Sequence, residues 1–138
     1  MTDDFSQCLV LNSRMAARAI SRRADRKLRP FGVTAAQFNI MGAMATRQGR
    51  TITELADALA MERTTLSRNL ALLERKGLIS ALPAERGNGR VSALTEAGRD
   101  LFEAIVPEWR KSQAELRQEL QSPDFATIIA GLRHLSRL

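Results

Sequence analysis

The sequence predicts a mainly α-helical fold with one small β-hairpin, and three observations predict it. Apolar residues recur at helical spacing through most of the 138 residues. Only residues 78–82 and 90–94 read as strands, and a glycine-rich basic tip, Arg86-Gly87-Asn88-Gly89-Arg90, separates them. The available core is aliphatic: 44% of residues are hydrophobic but only 4% aromatic, with no tyrosine, which suits helices built on Ala, Leu and Met.

Residues 5–28 read as one long helix, with Phe5, Leu9, Asn12, Ala16 and Ala19 near one face. Pro30 is expected to end it, because the residue before a proline is steered out of helical geometry. The second helix begins at Thr34-Ala35-Ala36-Gln37, which has capping-box spacing. It carries Phe38, Met41 and Ala45 inward and closes at Gln48-Gly49-Arg50. Residues 50–52 form at most a minimal strand that could pair with the hairpin. Thr51 or Thr53 then caps a short helix whose Leu55, Ala56 and Leu59 face inward.

The fourth helix spans about 63–76, with Leu66, Leu70 and Leu73 at i, i+4, i+7. Gly77 follows as its terminating glycine, after Arg75 and Lys76 in the last turn. Thr95 caps a fifth helix over about 96–120, whose stripe is Leu101, Ile105, Trp109, Leu116 and Leu120. Pro107 inside it is expected to bend it. Ser122-Pro123 reads as the N-cap and first residue of a last helix carrying Phe125, Ile128, Ile129, Leu132 and Leu135.

The formal charge of +6 favours polyanionic partners without distinguishing DNA from RNA or a membrane surface. Of 21 basic residues only Lys27, Lys76 and Lys111 are lysines. Arginine suits bidentate contact with phosphate and guanine edges, although a GC-rich genome gives the same bias. One cysteine and one histidine (Cys8, His134) leave no disulfide, no zinc cluster and no histidine triad. No phosphate loop or nucleophile–base pair is visible, so an enzyme is not expected, nor is any cofactor or metal. With no secretory leader and no apolar run long enough to span a bilayer, a cytoplasmic protein is expected.

Placed in order, these elements form a winged helix-turn-helix flanked by long terminal helices. The fourth helix is small and cationic enough to enter a DNA major groove, and the tip is placed to reach the adjoining backbone or minor groove. Arg63 or Arg68 suits guanine, while Thr64 and Ser67 suit phosphates. The three terminal helices are amphipathic in a chain with little interior to cover them, which implies dimerisation. A compact monomeric bundle is the alternative.

The whole pattern resembles the MarR family of regulators. The resemblance is carried by Leu28-Arg29-Pro30-Phe31-Gly32-Val33-Thr34-Ala35-Ala36-Gln37-Phe38, Leu55-Ala56-Asp57-Ala58-Leu59, Glu62-Arg63-Thr64-Thr65-Leu66-Ser67-Arg68-Asn69-Leu70, Leu73-Glu74-Arg75-Lys76-Gly77-Leu78-Ile79 and Leu94-Thr95-Glu96-Ala97-Gly98-Arg99. It implies one domain over residues 1–138, with a DNA-binding core at about 34–94 and dimerisation helices at about 5–28 and 96–137. It also implies a homodimer on a pseudopalindromic operator, repressing until a small aromatic or phenolic ligand, or oxidation, releases it. The DNA-facing set is then Thr53, Arg63, Thr64, Thr65, Ser67, Arg68 and Asn69, with Arg86, Asn88 and Arg90 from the wing.

The family's wing carries Asp-x-Arg, with the acid orienting an arginine into the minor groove. Without a gap those positions here read Arg86-Gly87-Asn88; with one, Asn88-Gly89-Arg90, so Arg90 is the first choice and Arg86 the second. Met15, Arg18, Phe38, Met41 and Trp109 are candidates for a ligand cavity, with core filling as the plainer role. Arg18 is also expected to pair with acids of the fifth helix (Glu103, Glu108, Glu115). Cys8 stands where peroxide sensors of the family place their reactive thiol, but those sensors hold it with tyrosines, which this chain lacks. A thiol-based sensor, a non-specific architectural nucleic-acid binder and a winged helix serving protein contacts are the competing readings.

Overall fold

The computed structural model describes residues 3–47, 50–87 and 89–138. Six helices and three strands follow one another: α1 (Leu9–Leu28), α2 (Ala35–Thr46), β1 (Arg50–Thr51), α3 (Ile52–Leu59), α4 (Arg63–Arg75), β2 (Ile79–Pro83), β3 (Arg90–Leu94), α5 (Glu96–Glu119) and α6 (Phe125–Leu135). The sheet is antiparallel with order β1-β3-β2, so the minimal strand does join the hairpin. Thr51 pairs with Val91, and Ile79 with Leu94 at the inner end.

The first helix differs from the single run expected over 5–28. Phe5–Gln7 form a separate 3₁₀ turn capped by Asp4, whose carboxylate accepts from the Ser6 amide and hydroxyl. Cys8 is extended and becomes the N-cap of α1, its Sγ accepting from the Leu11 amide at 3.5 Å. Asn12, expected on the apolar face, instead donates through Nδ2 to the Ser6 and Cys8 carbonyls at 2.8 Å each. A local cap therefore wins over continued periodicity. At the other end Arg29 keeps helical angles (φ −51°, ψ −43°), and the chain passes through Pro30 as a 3₁₀ turn before stopping at Gly32. Proline is tolerated there because it opens the new turn, where no amide donor is needed.

Thr34 and Gln37 form the expected reciprocal capping box on α2, and Thr51 forms a second one with Glu54 on α3. The last residue of β1 is thus also the cap of α3. Residues Gln48 and Gly49, expected to close the second helix, lie outside the described residues. α3 ends at Ala60 in the left-handed region (φ 51°), an unusual place for a residue with a Cβ. α4 ends on Gly77 (φ 74°), where the Leu78 amide reaches the Leu73 carbonyl and the Gly77 amide reaches Glu74.

Thr95 joins wing to α5: its amide donates to the Leu78 carbonyl, its hydroxyl donates to Gly77 and accepts from the Gly98 amide. Gly98 has to lack a side chain, because a Cβ there would stand 1.9 Å from the Leu78 carbonyl oxygen. α5 continues across Pro107. The last helix is capped by Asp124, not by Ser122 with Pro123. Asp124 is extended and its carboxylate takes the Thr127 amide, which also holds that carboxyl below its usual range.

The core lies under the helix-turn-helix. Ile40, Met41, Met44, Leu55, Leu66, Leu73 and Ile105 are fully buried, drawn from α2, α3, α4 and α5. Each such side chain contributes about 1.5–3 kcal/mol of burial. α1 adds only Leu28, and α6 adds none. Among the described residues no helix is long and apolar enough to cross a membrane.

Candidate nucleic-acid interface

α4 is held from beneath by Leu66 and Leu73, with Leu70 half-buried beside them. That fixes which face points outward: Arg63, Thr64, Thr65, Ser67 and Arg68 are all exposed. Asn69 is half-buried and its Nδ2 donates to the Thr65 carbonyl at 3.0 Å, so its amide group is tied to its own helix. Thr53 is exposed in the first turn of α3.

The N-terminus of α4 is a feature the sequence did not reveal. Glu62 occupies the cap position but makes no side-chain hydrogen bond to the first turn. The leading amides are therefore left without a side-chain cap at an exposed, partly positive helix end, an arrangement suited to a phosphate. Arg63 and Arg68 beside it have no ion-pair partner among the described residues.

The wing extends from the same body. Its tip is closed by the Ala84 amide on the Gly89 carbonyl at 2.9 Å. Arg86 lies in the tip loop and Arg90 opens β3 opposite Pro83; both are exposed and neither is ion-paired among the described residues. Asn88 lies outside the described residues. Arg47 is engaged by Glu54 at 3.0 Å, and the Arg50 Nε is buried without a hydrogen-bond partner among the described residues.

A second feature lies between α1, α2 and α5. Here an apolar cavity is bordered by Leu28, Phe38, Ile105, Trp109 and Leu116. Phe38 stacks on Phe102 at 5.3 Å between ring centroids. Of the ligand candidates, Phe38 borders the cavity, Met41 is wholly buried in the core, and Met15 and Arg18 are exposed on α1 and do not line it.

The acids of α5 do attract α1, but through other residues than Arg18. Arg23 makes two hydrogen bonds to Glu119 (3.0 and 3.2 Å) and lies 3.6 Å from Glu115, which also takes Lys27 Nζ. These cations hold the carboxyls of Glu115 and Glu119 below their usual range. Positions 23 and 27 share the face of Ile20, Ala24 and Leu28, whereas Arg18 lies about 140° around the helix from Arg23. Two residues further along α1's cationic stretch, Asp25 accepts from the Ala35 amide at 2.7 Å and ties α1 to the start of α2. Cys8 is half-buried in its capping role.

A sequence model described as the MarR family matches residues 31–90, from the turn after α1 to the first residue of β3. The chain is similar to an uncharacterized HTH-type transcriptional regulator, YwoH, of Bacillus subtilis, at 25% identity over 84% of this chain and 85% of that one. Among solved structures it resembles the transcriptional regulator MosR of M. tuberculosis in complex with DNA (32% identity, TM-score 0.85, 95% of each chain). It also resembles a mutant MarR of E. coli complexed with operator DNA (25% identity, TM-score 0.83, 97% of this chain and 99% of that one).

Proposed function

This chain belongs to the MarR family of DNA-binding transcriptional regulators, and from that premise we propose that it is a homodimeric, sequence-specific repressor released by a small aromatic or phenolic ligand. The observation that carries the DNA-facing part is the outer face of α4: short hydroxyls and two unpaired arginines around an uncapped helix start. In this reading α4 enters the major groove. Arg68 and Arg63 fork onto guanine O6 and N7, and Thr64, Thr65 and Ser67 take phosphates with the first-turn amides. Thr53 and Asn69 flank that contact, and the wing, through Arg90 first and Arg86 or Asn88 next, follows the adjoining backbone or minor groove.

Dimerisation is supported by large apolar side chains left outside at both ends of the chain. Phe5 is 75% exposed, Leu9 57% and Leu132 51%, more than isolated surface residues account for. A second copy covering α1 and α6 gives one domain over residues 1–138, with half-site centres about 34 Å apart on a palindrome. The cavity beside Phe38 and Trp109 is the place for the releasing ligand, working in the cytoplasm where the operator is. That MosR and MarR were each crystallised with DNA supports the same reading.

Arg68→Ala tests it in a gel-retardation assay against fragments selected from the source genome. The expected loss is about 10- to 100-fold in operator affinity, the equivalent of about 1–3 kcal/mol for a bidentate base contact. Unchanged affinity removes α4 from the groove. Equal competition by scrambled duplex and by every selected fragment favours a non-specific binder instead.

A further inference from the structure

We propose that the cavity between α1, α2 and α5 selects a single-ring aralkyl amine of the benzylamine type, protonated at neutral pH and so an organic cation, over an aryl carboxylate. The inference rests on reading that cavity as the effector site and adds the charge class of the ligand. Its walls are mainly apolar, and its free volume of about 90 Å³ leaves room for no more than one ring, with any substituent at the cavity mouth. For comparison, an apolar cavity of about 150 Å³ accommodates benzene.

The charges around it decide the sign. Two cations, Arg23 and Lys27, line the cavity and would at first suggest an acidic ligand. Both are already engaged, Arg23 with Glu119 and Glu115, and Lys27 with Glu115. Lys111, also near Glu115, adds to the field on that acid and does not line the cavity. An incoming carboxylate has to separate these pairs and then sit beside the two displaced acids. The pairs are exposed and individually weak, so the barrier is mainly the repulsion that follows.

The other charged group on the lining is Glu108, which is exposed and has no ion-pair or hydrogen-bond partner among the described residues. It precedes Trp109, which borders the same cavity as Phe38. Ring faces carry negative potential and attract a cation. An ammonium on a ring held in this cavity therefore meets a free carboxylate beside aromatic side chains, whereas a carboxylate meets Glu108 as well as the displaced Glu115 and Glu119.

Trp109 is the chain's only tryptophan and borders both this cavity and the groove beside Phe102 and Arg110, so its emission reports binding at either. A change at Glu108, which lines this cavity and not that groove, assigns the response. The full-length protein is titrated at neutral pH with benzylamine, benzyl alcohol and benzoate. The expected saturable response places benzylamine about tenfold tighter than benzoate, with benzyl alcohol between them. Glu108→Gln is expected to weaken benzylamine to the level of benzyl alcohol and to leave benzyl alcohol where it was. Benzoate binding as tightly as benzylamine overturns the charge class, as does a Glu108→Gln variant that weakens both neutral and cationic probes equally. No response from any of the three removes the cavity as a ligand site. Benzylamine preference without any change in DNA retardation keeps the site and its charge class but overturns the effector role.

Discussion

Helices α4 and α6 are both amphipathic, yet α4 seals Leu66 and Leu73 completely and α6 buries nothing. The two differ in what their neighbours provide. α4 lies on α2, α3 and β2, which close over its apolar side, whereas α6 follows α5 with Phe125, Ile128 and Leu135 only half-buried. Among the described contacts at that end are the Arg117 guanidinium 4.6 Å from the Phe125 ring and the Asp124 cap. Periodicity thus identifies an apolar face without saying what covers it. In the middle of the chain the cover is the chain itself; at the ends, on the proposed reading, it is a second copy.

Leu66→Ala against Leu132→Ala tests that contrast most strongly. The first is expected to cost about 3 kcal/mol in urea unfolding, as a fully buried leucine does. The second should change unfolding by less than about 0.5 kcal/mol at protein concentrations where the chain is monomeric. It should also weaken self-association in sedimentation. An equal cost for the two would mean that α6 is packed within its own chain.

Gly98→Ala probes the seam between the two regions, where wing and α5 meet. With the Leu78 carbonyl in the way of a Cβ, the backbone has to shift, and about 2–3 kcal/mol should be lost by the same measurement. Thr51→Ala should cost about 1 kcal/mol by removing the α3 cap, while Thr53→Ala should be nearly neutral for stability. If Thr53 proved the costlier, the cap assignment would be reversed.

The smallest effect concerns the α1–α5 pairs. Glu115 and Glu119 titrate below their ordinary value of 4.5 when folded, because Lys27 and Arg23 favour the charged forms. Their stabilisation is present above about pH 4.5 and is lost as pH falls through the lower folded values. Urea midpoints followed from pH 7 to pH 3 should decline less steeply in a Glu115→Gln, Glu119→Gln double variant. An unchanged slope would mean that these exposed pairs contribute nothing measurable.

Features written in adjacent residues were legible from sequence alone. The Thr34–Gln37 box, the Gly77 terminus and the outward face of α4 each depend on spacing within a turn or two of helix. Features set by a choice between two local options were not. Cys8 breaks the first helix because Asp4 and Asn12 satisfy the backbone around it, and Asp124 outcompetes Ser122 as a cap. Ala60 adopts a conformation that composition would assign to glycine. For the candidate site, the acids of α5 were visible, but which cations of α1 meet them depends on how α1 is rotated against α5. The uncapped start of α4 required knowing that the Glu62 side chain makes no hydrogen bond to its amides.

Thr51 ends a strand that is laced to β3 and, in the same residue, starts α3. The hairpin and the helix pair are consequently soldered at one point, like the jaws of a fixed-gap gauge. The base of the wing is thereby held against the start of α3 before any partner arrives. On the proposed reading, a releasing ligand bound beside Phe38 and Trp109 acts at the α1–α5 seam, away from the joint at Thr51.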